Sequence, residues 1–130
     1  MKSILENTRR PDVTFHRNGR IDIASRVSKV LSLCCGDVID IGQEGDEWYI
    51  YKKYDGHSLT GNHEAQCRHT NSGKRFSHTM RCYSRRLCEV MFRLAGEDSD
   101  VLRVPVGEKT LTEGGRIAMP VIYRYNIKRP

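Results

Sequence analysis

The residues best suited to chemistry in this chain are the cations of the segment FHRNGRIDIASRVSKVL, residues 15–31. Lysine and arginine side chains bind phosphate oxygens, and an arginine can also form two parallel hydrogen bonds with a guanine edge. A turn, a strand end and an exposed helix face in this segment would form one polyanion-binding surface if they share a side of the molecule. The alternative is a set of solvated charges on a half-exposed hairpin. The predicted contacts are Arg17, Arg20, Arg26 and Lys29.

A second basic group lies further along the chain. Between Gln66 and Leu87 there are six basic residues and no acidic one, whereas acidic residues concentrate between Asp37 and Glu47. Such segregation favours one positive face and a polyanionic partner. The second set of predicted DNA contacts is Arg75, Arg81, Arg85 and Arg86.

Histidine and cysteine residues in HEAQCRHTNSGKRFSHTMRC suggest a metal site as an alternative. His63 precedes Cys67 and His78 precedes Cys82 at the same spacing, and these side chains are good zinc ligands. On a strand, however, residues four apart lie ~13 Å apart, and the segment lacks the usual Cys-x2-4-Cys element. Cysteines packed inside beside surface histidines are the simpler interpretation, so no metal and no other cofactor is predicted.

An enzyme could in principle use Cys67, Cys82 or Cys88 as a thiolate nucleophile beside a histidine. Nothing in the spacing brings a base to any of them, and Cys88 falls near the apolar side of a predicted helix. The segment GEKTLTEGG also lacks the Gly-Lys-Ser/Thr ending of a phosphate-binding loop. The sequence therefore predicts a protein that is not an enzyme.

Composition limits the class of protein. The chain has 130 residues, 38% hydrophobic and 29% charged, with a formal net charge of +6. A chain of this length buries enough surface for one domain, residues 1–130. No apolar run approaches the ~20 residues needed to cross a bilayer, and the N-terminus has no apolar signal core. We therefore expect a cytoplasmic protein with no membrane partner, whose cysteines remain thiols.

The first half of the chain predicts a ββαββ unit over residues 12–54. Asn18-Gly19 supplies the positive φ of a tight hairpin turn between DVTF and RIDI. A short amphipathic helix follows, with Ser25 as its expected N-cap, and the strands DVIDIG and EWYIYKKY complete the unit.

The second half, residues 64–125, predicts the same order after a connector over residues 55–63. Its clearest element is the helix SRRLCEVMFRLAG, with Ser84 as N-cap and Gly96 beyond its end. Pro105 and Pro120 place the later strands at an edge or a bulge. One unit has too little apolar area to be stable alone, so the two pseudo-repeats are expected to interlock.

The segment from Val13 to Tyr54, with GRIDI, ASRVSKVLSL, GDVIDI and EWYIYKKY, resembles the AbrB/MazE/SpoVT swapped-hairpin β-barrel family. The two-copy arrangement resembles that of the MraZ proteins. Family members are typically DNA-binding transcriptional regulators or antitoxins, with arginines around the first hairpin and helix facing the duplex. Carried over to this chain, the resemblance implies that Arg20 and Lys29 contact DNA.

These observations together predict a mostly β protein with two short helices, in which two ββαββ pseudo-repeats form a swapped-hairpin, AbrB-like β-barrel. The expected function is binding of double-stranded DNA in transcription regulation, and a homodimer would extend the footprint along the duplex. The competing function is an antitoxin-like or other protein-interaction module with no direct DNA role.

Overall fold

The computed structural model describes residues 11–70 and 78–124. Alternation of β-branched and polar residues produces most of its strands, and two short apolar-faced segments form its helices. In chain order the elements are β1 (Val13–His16), β2 (Arg20–Ile23), α1 (Ser25–Val30), β3 (Val38–Glu44), β4 (Glu47–Tyr54), a single 3-10 turn (Gly56–Ser58), β5 (Arg68–His69), β6 (Met80–Tyr83), α2 (Arg85–Ala95), β7 (Val101–Val104), β8 (Thr110–Leu111) and β9 (Ile117–Pro120).

The strands divide between two antiparallel sheets, with orders β5-β6-β2-β1-β7 and β3-β4-β9-β8. The predicted mostly β architecture with two helices is confirmed. The predicted closed barrel is not formed by the described residues. Backbone pairing between the two sheets is limited to isolated bridges, Val38 to Gln66 and Val106 to Val121. Pro105, which has no N–H for a ladder, directly follows the end of β7 and leads the chain towards the second sheet.

The two halves of the chain are interleaved. β2 of the first half pairs with β6 of the second, and β1 pairs with β7. In a corresponding way, residues just before β5 pair with the start of β3: Ile39 N donates to Ala65 O at 3.1 Å, and Cys67 N donates to Asp37 O at 2.7 Å. Each half therefore completes hydrogen-bonded edges of the other, and a single buried cluster contains side chains from both.

The helix ends follow the predicted signals only in part. Ser84 caps α2, since its Oγ accepts a hydrogen bond from Leu87 N at 3.1 Å, and Gly96 ends the helix with a φ of 63°. The predicted cap at Ser25 is wrong. Ser25 is the first residue of α1, and the cap position is held by Ala24, whose side chain has no acceptor. The edge position expected for the strand that contains Pro120 is not found, since β9 lies between β4 and β8, but β8 pairs only with Ile117 and Ala118 and does not reach Pro120.

The turn of the first hairpin depends on Gly19. Its φ is +101°, and a Cβ there would lie 2.9 Å from Arg85 Cγ and 3.2 Å from Arg85 N. Substitution Gly19→Ala is expected to lower the free energy of unfolding by about 2–3 kcal/mol, from backbone strain and crowding against α2. Urea denaturation measures this.

Gly36→Ala is the matched control for that substitution. Gly36 has nearly the same φ, +98°, but its added Cβ would meet nothing closer than 3.5 Å. Its expected cost is about 1–2 kcal/mol, from the backbone alone. Equal costs at the two positions would mean that the contact between the turn and Arg85 is unimportant.

Candidate nucleic-acid interface

The outer face of the five-stranded sheet has a row of polar side chains across it, four of them charged. Strand alternation points Ile21, Cys82 and Leu102 into the core, so their neighbours point outward. The strand registers align these neighbours from one edge to the other, over about 19 Å at the usual strand spacing. In order they are Arg68, Arg81, Asp22, Thr14 and Arg103.

Arg20 lies on the same outer side of β2, two residues before Asp22. We call the set Arg20, Arg68, Arg81 and Arg103 the arginine face. It combines residues from β2, β5, β6 and β7, and therefore from both halves of the chain. The face thus combines four guanidinium groups with one carboxylate, that of Asp22, which makes it positive.

Asp22 is the centre of the arginine face. Its Oδ1 accepts a hydrogen bond from Arg81 Nε at 2.7 Å, and its Oδ2 accepts one from Arg20 Nε at 3.1 Å. Burial of the carboxyl raises its pKa, but the hydrogen bonds from Arg81 and His16 and the nearby arginine charges outweigh burial and lower the pKa of Asp22. Asp22 is therefore charged at neutral pH and orients two arginines.

His16 completes this cluster from β1. Its Nε2 lies 3.1 Å from Asp22 Oδ2 and 3.1 Å from Arg20 Nη2. The contact with Asp22 requires a proton on Nε2, whereas a hydrogen bond from Arg20 requires a lone pair there. Whether Nε2 of His16 carries a hydrogen therefore decides which of these two contacts is a hydrogen bond.

The hairpin turn extends the face with an aromatic and a further cation. Tyr83 pairs with Arg20 across β6 and β2, and its side chain is 59% exposed. Arg85 contacts Gly19, and Ser84 N donates to Gly19 O at 2.8 Å. Arg85 is exposed and forms no ion pair within residues 11–70 and 78–124. The turn thus joins one residue of the first predicted set, Arg20, to one of the second.

The side chain of Arg17 is occupied by contacts within the protein. Its Nε donates to Ser99 O at 3.0 Å and its Nη2 to Glu97 O at 2.5 Å, while the guanidinium lies 4.3 Å above the Phe92 ring. These contacts attach the hairpin tip to the loop after α2. The side chain is thus engaged in linking two elements.

Arg26 links elements at the opposite end of the same hairpin. Its Nε and Nη2 donate to both carboxylate oxygens of Asp12, at 3.1 and 3.0 Å, and Nη2 also donates to Val106 O. The Asp12 contact raises the pKa of Arg26 further. Lys29 is exposed on α1 and has no ion pair in the described part of the chain. Arg17, Arg20 and Arg26 therefore lie in three separate contact groups.

The second predicted set is divided in a similar way. Arg81 belongs to the arginine face, and Arg85 lies beside it. Arg86 Nη2 donates to Glu64 Oε2 at 2.5 Å, and Glu64 also accepts from Ser84 Oγ at 2.8 Å, which holds the pKa of Glu64 below its usual value. Arg75 lies outside the described residues.

Sequence reasoning missed three members of this surface. Arg68 was counted in the basic segment but not chosen as a contact, and Arg103 and Tyr83 were not singled out. Arg103 lies between Leu102 and Val104, so the alternation of its strand does signal that it points outward. The missing information was the pairing of β1 with β7, which brings Arg103 into the row with Arg81.

The cysteines and histidines of the second half do not converge. Cys67 and Cys82 are buried next to each other, whereas His63, His69 and His78 are exposed. In the part of the chain that the structure describes, no group of three or more His, Cys, Asp or Glu side chains could hold a metal ion.

The buried thiols are also poor nucleophiles. The hydrogen bond with Cys67 and burial raise the pKa of Cys82 well above its usual value, and burial raises the pKa of Cys88 to about 11. Both groups therefore remain protonated near neutral pH, and a thiol is far less nucleophilic than a thiolate.

Comparison with known proteins adds no relative. No protein-family model matches the chain, and no curated protein and no solved structure matches it. Within residues 11–70 and 78–124, no helix is both long and apolar enough to cross a membrane.

Proposed function

We propose that this protein binds double-stranded DNA through the arginine face and acts as a transcriptional regulator. The observation that carries the proposal is the row of outward arginines on β5, β6 and β7, with Arg20 beside it. A face about 19 Å wide is large enough to cover a major groove of about 12 Å and reach the flanking phosphates.

The geometry of Arg81 supports contact with an anion. Its Nε donates to Asp22, and its two terminal nitrogens do not contact that carboxylate. Terminal nitrogens can bind a phosphate or a guanine edge, and a guanidinium held at Nε reaches the ligand with less loss of side-chain freedom. Arg68 is exposed, and its contacts with the described residues are long ones to neutral oxygens, 3.3–3.4 Å.

The interleaved strands support a relationship to the swapped-hairpin family. Pairing of β2 with β6, of β1 with β7, and of residues 65–67 with β3 exchanges equivalent strands between the halves. We infer an open form of the swapped-hairpin barrel, in which short strands leave the two sheets separate. In this form the first predicted set acts mainly through Arg20, and the second through Arg81 and Arg85.

A fluorescence-anisotropy titration with a random DNA duplex tests the proposal. The wild-type protein is expected to bind at low salt, with log Kd rising about 3–4 per tenfold increase in salt if the four arginines neutralise one phosphate each. Arg68→Gln is expected to weaken binding severalfold at low salt and to reduce that slope by about 1.

Arg93→Gln is the matched control, since it removes the same charge from an exposed position on α2 outside the arginine face. Its salt slope is expected to equal that of the wild type. The competing function, a protein-interaction module, predicts no salt-dependent binding by the wild type. Equal weakening by both variants would mean that DNA senses total charge and not this face.

A further inference from the structure

The four-stranded sheet has an exposed apolar edge. Leu111 on β8 pairs directly with Ile117 on β9, and these side chains are 69% and 46% exposed. β8 is the last strand of its sheet. Two adjacent exposed aliphatic side chains at a sheet edge are typical of a surface that another chain covers.

Within residues 11–70 and 78–124, no strand pairs with the outer edge of β8. Thr112 N donates to Arg116 O at 2.9 Å, which makes these residues a hydrogen-bonded pair of the β8–β9 ladder. Antiparallel pairs alternate, so the next pair, Leu111 with Ile117, is not hydrogen-bonded. The N–H and C=O of Leu111 therefore point away from β9, towards the open side.

The charges around Leu111 would attract each other if two copies of this edge paired antiparallel. Lys109 lies two residues before it and Glu113 two residues after it, and both are exposed. Glu113 begins the turn that follows β8, so an antiparallel strand pair centred on Leu111 would bring Lys109 of each copy close to this turn of the other. Glu113 N also donates to Glu44 Oε1 at 3.3 Å, which adds a second carboxylate at the acidic end.

We propose that β8 pairs with β8 of a second copy of this chain, so that the two four-stranded sheets form one continuous sheet across a two-fold axis. Leu111 exchanges its N–H and C=O hydrogen bonds with Leu111 of the other copy. The two Leu111 side chains pack together between the two Ile117 side chains, and two Lys109–Glu113 ion pairs flank them. A two-fold axis requires such self-complementarity, which favours a second copy over an unrelated peptide.

A charge-exchange experiment tests this interface. In a dimer of the Lys109→Glu variant, two carboxylates lie close together at each of the two contacts between positions 109 and 113. In a dimer of the Glu113→Lys variant, two ammonium groups do so. Each variant alone is therefore expected to dimerise roughly tenfold more weakly than the wild type. In an equimolar mixture, a heterodimer restores both pairs, so the mixture is expected to dimerise about as well as the wild type. Sedimentation velocity over a concentration series measures all four samples.

A third variant tests the apolar contact. Leu111→Lys is expected to give a single species near the monomer mass of 15.0 kDa. Because the side chain is exposed in the monomer, the circular dichroism spectrum should not change. The proposal is overturned if the wild type remains monomeric at every soluble concentration, if Leu111→Lys dimerises as well as the wild type, or if the mixture of charge variants dimerises no better than its components. The samples contain no DNA, so the result is independent of the arginine face.

Discussion

Asp22→Asn is expected to bind random duplex DNA about fivefold to tenfold more tightly than the wild type at low salt. Asp22 places a negative charge among the side chains that would contact phosphates, and it neutralises part of Arg20 and Arg81. Asparagine has nearly the same shape but no charge, so the substitution removes repulsion, while its side-chain oxygen still accepts a hydrogen bond from one of the two arginines that Asp22 orients. The measurement is the anisotropy titration described above.

The same substitution is expected to destabilise the fold by about 1 kcal/mol, because charge-assisted hydrogen bonds from partly exposed arginines are replaced by weaker ones. Tighter DNA binding together with a lower free energy of unfolding is expected of a carboxylate that stabilises the fold and repels the phosphates. Asp46→Asn, the same charge change in the exposed turn between β3 and β4, should alter neither quantity. Weaker or unchanged DNA binding by Asp22→Asn would contradict the proposed interface.

The pH dependence of the free energy of unfolding gives a second test of the role of Asp22. Its folded-state pKa lies below its ordinary value, so the charged carboxylate stabilises the fold above about pH 4. That stabilisation is lost as the pH falls through the lowered folded-state pKa. The difference in unfolding free energy between wild type and Asp22→Asn should therefore be full at pH 6 and shrink towards zero as acid protonates Asp22.

Local signals predicted the first hairpin and α2 well. Asn18-Gly19 and the alternation around it specify β1 and β2, and Ser84 with Gly96 brackets a helix that begins and ends close to where expected. These signals involve residues a few positions apart, so the backbone preferences of single residues decide them. The open sheets were not predictable in this way, because closure depends on pairing between segments far apart in the chain, such as Val38 with Gln66 and Val106 with Val121.

The candidate interface was less predictable than the fold. Arg17 and Arg26 have the residue type of a DNA contact, but some of their acceptors, such as Ser99 O and Val106 O, come from distant parts of the chain. Conversely, Arg68 and Arg103 reach the face only because β6 and β7 pair with the first hairpin. Charge along the sequence favoured a polyanionic partner, whereas long-range pairing decides which cations share one face of the sheet.

Asp37→Ala is expected to lower the free energy of unfolding by about 3–4 kcal/mol, the largest loss of stability among the changes considered. The Asp37 side chain is 5% exposed. Its Oδ2 accepts from Cys34 N at 2.7 Å and its Oδ1 from Gly56 N at 2.7 Å, and Lys52 Nζ lies 3.4 Å away. One carboxylate thus fixes the chain after α1 and the connector after β4.

Alanine at this position leaves two backbone N–H groups without their acceptor in a crowded region, where Gly36 and Gly56 are in close contact. Asp40→Ala is the control. Asp40 lies three residues further on, in β3, but its side chain is 29% exposed, so water replaces its contacts and the expected cost is about 1 kcal/mol. Urea denaturation with equal slopes would measure both. A cost for Asp37→Ala no larger than that for Asp40→Ala would mean that the connector between the two halves is held by its strand pairing, through Cys67 N and Ile39 N, and not by this carboxylate.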